Sequence, residues 1–83
     1  MKRIASISVI VEKPEATEEV NRILHQYSNI IIGRMGLPIR EYAVSVITIC
    51  TVADDTEISA LSGALGRVDG VSVKASYAKK EIE

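Results

Sequence analysis

Ile4-Ala5-Ser6-Ile7-Ser8-Val9-Ile10-Val11-Glu12 sets the pattern on which the whole 83-residue chain is built. Ala5, Ile7, Val9 and Val11 fall on one side of an extended segment and Ile4, Ser6, Ser8 and Ile10 on the other, a period of two that predicts a strand. Pro14 follows, suited to a first helical turn where its missing N–H costs nothing. Glu15, Glu18 and Glu19 complement the positive end of the helix dipole. Val20, Ile23, Leu24 and Tyr27 then recur at i, i+3, i+4 and i+7, opposite Glu18, Arg22 and Gln26, so the helix has one apolar stripe to lay on a sheet. Ser28-Asn29 ends it, and Ile30-Ile31-Ile32 opens a second, β-branched strand.

The same order then repeats. Gly33-Arg34-Met35-Gly36-Leu37-Pro38 has the composition of a connection with special backbone angles, and the chain resumes as strand from about Tyr42 to Val52. Ala43, Ser45, Ile47 and Ile49 alternate there with Val44, Val46, Thr48 and Cys50, neither set strongly polar. Both faces are therefore expected to be covered, and the pattern leaves open which one meets the helices. Asp54 or Asp55 caps the next helix, with Glu57 at capping-box spacing from Asp54. Ile58, Leu61 and Leu65 form its buried stripe, Gly66 is expected to end it in a left-handed conformation, and Gly63 implies close approach by another backbone. Asp69-Gly70 makes a turn. Val71, Val73, Ala75 and Tyr77 alternate with Ser72, Lys74 and Ser76 in a last strand, which leaves residues 78–83 as a short charged tail on a core of residues 4–77.

A unit of strand, helix, strand written twice, with right-handed crossovers, puts both helices on one side of a four-stranded antiparallel sheet of order 4-1-3-2. The expected class is α+β, a ferredoxin-like βαββαβ sandwich forming a single domain over residues 1–83. One sheet face is then bare of helices. It carries Ile4, Ser6, Ser8 and Ile10 beside an apolar set from the third strand, a composition that fits a sheet-to-sheet dimer or a tetramer. The edge strand at Ile30 to Ile32 offers a second route to self-association.

Ten Lys and Arg against eleven Asp and Glu give a formal net charge of −1, with no basic block beyond Lys2-Arg3 and Lys79-Lys80. Phosphate-backbone binding needs clustered cations, so direct nucleic-acid binding is disfavoured. The single cysteine, Cys50, the strand-length apolar runs and the absence of a secretory pattern point to a cytoplasmic protein without a membrane segment.

Two pieces of sequence carry a resemblance. Gly33-Arg34-Met35-Gly36-Leu37-Pro38-Ile39-Arg40-Glu41, and Leu61-Ser62-Gly63-Ala64-Leu65-Gly66 with Gly70-Val71-Ser72-Val73-Lys74, resemble the signatures of the iron-only hydrogenase system regulator family. Its members are small ACT-like domains, similar in fold to the ligand-binding domain of the nickel-responsive repressor. The resemblance covers nearly the whole chain. It implies a non-enzymatic, oligomeric regulator, acting on transcription or maturation of the hydrogenase system. Its partners would be further copies of itself, a small effector at a subunit interface, and a DNA-binding or hydrogenase-related protein.

The residues narrow that expectation. A square-planar nickel site needs several imidazoles and a thiolate, and the chain offers only His25 and Cys50, so no metal or other cofactor is expected. His25 is the one histidine available as a base and no spacing brings it to a serine. No paired-carboxylate, phosphate-loop or dinucleotide pattern occurs, so no catalytic residue is assigned. In the loop where ACT domains commonly hold an effector, Glu12-Lys13-Pro14-Glu15-Ala16, Glu15 stands where glycine would let a carboxylate approach. The stretch reads better as a helix start. The remaining ligand candidates are Gly33, Arg34, Gly36 and Arg40, in which glycine-freed backbone beside two guanidiniums would receive an anionic effector or a partner protein. The competing reading is that the glycines only shape the connection and Arg34 pairs with Glu41 or with an acid of a symmetry-related copy. An interaction module without ligand is the alternative function.

Overall fold

The opening alternation becomes a ten-residue strand, β1 (Lys2–Val11), with Ala5, Ile7, Val9 and Val11 buried and Ile4, Ser6, Ser8 and Ile10 exposed. The structure is a computed structural model and describes residues 1–82. A short 3-10 turn at Pro14–Ala16 leads into helix α1 (Thr17–Gln26), whose Val20, Ile23 and Leu24 are buried. Strands β2 (Ile31–Ile39) and β3 (Val44–Asp54), helix α2 (Asp55–Gly66) and strand β4 (Val71–Glu81) follow. The sheet has the order β2-β3-β1-β4 and every pairing in it is antiparallel. This is the ferredoxin-like α+β arrangement, with both helices on one face.

That face holds the core. Ile7 and Val9 from β1, Ile49 from β3, Val20 from α1, and Ile58, Leu61 and Leu65 from α2 are fully buried. Burying each side chain of this size stabilises the fold by about 1.5–3 kcal/mol. The ambiguity of β3 is resolved by Ile47, Ile49, Thr51 and Ala53, all buried under the helices, while Thr48 and Cys50 on the opposite side are exposed. The second face of β3 is thus not covered within the chain. Thr51 is the buried polar residue of the core, and its Oγ1 donates to the Ala5 carbonyl at 3.0 Å.

Several expectations are corrected. The stretch Gly33 to Pro38 is not a connection but the body of β2, paired in register with β3 from Gly33 opposite Cys50 to Ile39 opposite Val44. Glycine and proline are tolerated because β2 is an edge strand, whose outer side makes no ladder bonds in the chain. Ile30 is not part of the strand but closes a 3-10 turn, Ser28–Ile30, and is buried. The third strand starts at Val44, not Tyr42. The special angle of the connection lies at Ala43, with φ 56° after the 3-10 turn Arg40–Tyr42. Gly66 is the last helical residue, followed by Arg67 in a right-handed conformation; the left-handed glycine is Gly70, φ 84°. No backbone crowds Gly63, where an added Cβ would meet only the tip of Arg67 at 3.4 Å. Residues 78–81, expected in a tail, continue β4. Arg3 packs over the Tyr77 ring, 5.1 Å from its centroid, and donates to the Ala78 carbonyl at 2.9 Å, which fastens this extension to β1.

Candidate functional site

Register decides where each candidate ligand residue points. Residues directly opposite in a sheet share a face. Arg34, Gly36 and Pro38 lie opposite Ile49, Ile47 and Ser45 and so face the helices, whereas Gly33, opposite exposed Cys50, faces the bare side. The four candidates are therefore not one cluster: Gly33 is separated from the other three by the sheet.

On the helix side, α1 stops short of the sheet edge and leaves a trough between itself and β2. Its middle is a hollow of about 230 Å³ with Thr17, Asn21, Arg34, Gly36 and Ser45 in its walls. A neighbouring hollow of about 240 Å³ shares Val11, Thr17, Pro38 and Ser45 and adds Pro14 and Arg40. Beyond Arg34 the trough continues over Asn21, His25 and Ser28. Arg34 does not pair with Glu41; its guanidinium donates to the Asn21 side-chain oxygen at 3.1 Å. Arg34 and Arg40 are six residues apart, about 20 Å if the chain between them is extended. A compact anion would meet one of them, and only an elongated dianion both.

Thr17, Asn21 and His25 escaped the sequence reading as wall residues. Their spacing, i, i+4 and i+8, places them on one flank of α1 beside the apolar stripe, the flank that the edge strand faces. The loop Glu12–Ala16 does act as a helix start, but its Pro14 also lines the trough. Lys13 turns away from it to pair with Asp69, Nζ to Oδ2 2.7 Å.

His25 and Cys50 do not meet. His25 is exposed on the last turn of α1, and Cys50 is exposed on the other side of the sheet. Among the described residues no three His, Cys, Asp or Glu side chains are grouped to hold a metal ion. No helix among them is long and apolar enough to cross a membrane.

Comparison with known proteins places this geometry. Residues 3–75 match the TM1266-like family model, described as "Iron-only hydrogenase system regulator, putative". The chain belongs to this family. The structure of TM1266 from Thermotoga maritima superposes with a TM-score of 0.91 at 36% identity, covering 95% of this chain and 100% of that one. The C-terminal domain of MgtC from Mycobacterium tuberculosis gives 0.72 at 16% identity, over 93% of this chain and 88% of that domain. A formyltetrahydrofolate deformylase from Pseudomonas putida KT2440 gives 0.62 at 11% identity, covering 88% of this chain but 28% of the enzyme. The last two share the fold alone, which hosts many activities. No curated protein sequence matches the chain. The TM1266-like family thus supplies the regulatory context; besides the trough, a larger hollow of about 470 Å³ lies between α1 and the end of α2, with Glu19, Arg22, Arg67 and Asp69 in its walls.

Proposed function

We propose that this chain is a non-enzymatic, oligomeric regulatory domain of an iron-only hydrogenase system that senses a small anionic effector in the trough between α1 and β2. The observation that carries this reading is the charge of the trough. Among the described residues, those lining its three hollows include Arg34, Arg40 and His25 and no Asp or Glu, in a chain with eleven Asp and Glu. Asn21 orients the Arg34 guanidinium, so part of the ordering cost of gripping a carboxylate or phosphate is met before binding. Such a ligand regulates by binding one assembly or partner-bound state more tightly than another, with transcription or maturation of the hydrogenase as the downstream step.

The test is a heteronuclear NMR titration of the full chain with inorganic phosphate and, separately, succinate as a short dianion. Saturable shifts at Thr17, Asn21 and Arg34 that vanish in Arg34→Ala support the sensor. Shifts that are uniform over the surface, or unchanged in Arg34→Ala and Arg40→Ala, overturn it. In that case a ligand-free interaction module is the better description, and native mass spectrometry of protein incubated with metabolite extract would find no added mass.

A further inference from the structure

The sheet face opposite the helices is laid out in rows running across the strands. Leu37, Val46, Ile10 and Ser72 form one, Met35, Thr48, Ser8 and Lys74 the next, and Gly33, Cys50, Ser6 and Ser76 a third, with Ile39–Val44 and Val52–Ile4 beyond them. Met35 is 59% exposed and Leu37 57%, while Ile4, Ile10 and Ile39 are each exposed by more than a third. Lys74 is the one charged residue of these rows, and the Lys2–Asp54 pair closes the face at its far end. A water-facing sheet surface normally alternates with charge; this one carries serine, threonine and aliphatic side chains.

We propose that this face is covered by a second copy of the chain, stacked sheet on sheet about a two-fold axis parallel to the strands; the inference does not depend on an effector. Size supports a second copy as the occupant. The molecule measures 42 × 19 Å in its two longer directions. Four strands of about ten residues give a footprint of roughly 600 Å² per copy. Two such faces bury roughly 1,200 Å² in total, the lower bound of a standard stable interface.

The choice of axis follows from the rows. An axis parallel to the strands keeps each row at its own height and exchanges left for right. Val46 then meets Ile10 of the other copy, Val52 meets Ile4, Thr48 meets Ser8, and Lys74 lies over Met35, its stem on apolar surface and its ammonium at the rim. An axis across the strands, through the Thr48 row, sets Lys74 over Lys74, Ile10 over Ser6 and Leu37 over Gly33. Like charges and mismatched polarity disfavour that arrangement.

The experiment combines sedimentation equilibrium of the full chain with the rate of maleimide labelling at Cys50, which lies in the middle of the face. A dimer whose thiol reacts at least tenfold more slowly than in the Val46→Glu variant, with that variant monomeric, is the expected result. Faster labelling as the unmodified chain is diluted through its dissociation constant gives the same answer if Val46→Glu does not fold. A monomer, or a dimer that labels at the monomer rate because it pairs through the β2 edge, overturns the proposal. The axis has its own test. Met35→Glu, placed over Lys74 of the other copy, should keep the dimer, and Met35→Lys should weaken it at least tenfold; equal dissociation of both variants overturns the strand-parallel axis.

Discussion

Lys13 crosses Gly70 so closely that a β-carbon at Gly70 would stand 2.5 Å from the lysine Cγ and 2.8 Å from its Cβ. The contact joins the two halves of the chain at one end of the sheet. Glu12 donates its backbone N–H to the Gly70 carbonyl at 2.8 Å, and Lys13 Nζ bonds Asp69. Gly70 has φ 84°, a region that side chains rarely adopt. Gly70→Ala therefore meets a strained backbone and a stem atom that cannot swing away, and should destabilise the fold by about 2 kcal/mol. Urea unfolding of Gly70→Ala with and without Lys13→Ala measures how much of the cost comes from the lysine stem beyond Cβ. The double variant loses the contact to Cγ but keeps the Lys13 Cβ at 2.8 Å, so it should recover part of the steric cost and retain the rest together with the part due to φ.

The ion pair beside this contact sets a pH dependence at both ends of the scale. The hydrogen bond from Lys13 holds the Asp69 carboxyl below the usual aspartate range, and the same bond raises the Lys13 ammonium. Asp69 has a lower pKa folded than unfolded, so its contribution is complete above about pH 3.9 and is lost as pH falls through the folded value. Lys13 has the reverse sign: its contribution is complete below about pH 10.4 and is lost as pH rises through the folded value. The pair is exposed, so the effect is small. Melting temperatures of the unmodified chain and Asp69→Asn should run parallel from pH 5 to 9 and converge beyond either end. Convergence within the neutral range would assign the dependence to other groups.

Thr51 offers a test inside the core. Its hydroxyl is fully buried and makes one hydrogen bond, to the Ala5 carbonyl, across the β1–β3 pair. Thr51→Val keeps the shape and removes the donor, which should cost about 1 kcal/mol, the net worth of one neutral hydrogen bond. Thr51→Ser keeps the donor and removes a methyl, at a cost of about 1 kcal/mol through the void left behind. Denaturation curves showing Val more stable than the parent would mean that the hydroxyl is a residual polar burden rather than a strap between strands.

How much of this was legible in the sequence depended on whether the local signal and the tertiary context agreed. β1, α1 and the buried stripe of α2 were legible because period and burial coincide at Val9, Val20 and Leu61. β2 was not, although Met35, Leu37 and Ile39 do alternate, because Gly33, Gly36 and Pro38 outweigh that alternation in any local reading. Only the position at the sheet edge makes those residues acceptable in a strand. The candidate site was half legible. Arg34, Gly36 and Arg40 all line the trough, but Gly33 left the set once register put it on the other face, a fact fixed by the bulge between Ile31 and Gly33. Asn21 and Thr17 were hidden because a polar flank on a helix ordinarily means solvent.

Gly63 reverses the sign of the first prediction. It sits within α2, where glycine costs up to about 1 kcal/mol relative to alanine through backbone entropy. The sequence suggested that a neighbouring backbone requires it, but an added Cβ meets only the guanidinium end of Arg67 at 3.4 Å, a group free to move. The backbone there is right-handed, so alanine adds no strain. Gly63→Ala should therefore stabilise the chain by about 0.5–1 kcal/mol, read as a higher urea midpoint with an unchanged slope. A loss of stability that grows with protein concentration would show instead that α2 is approached at Gly63 by another chain.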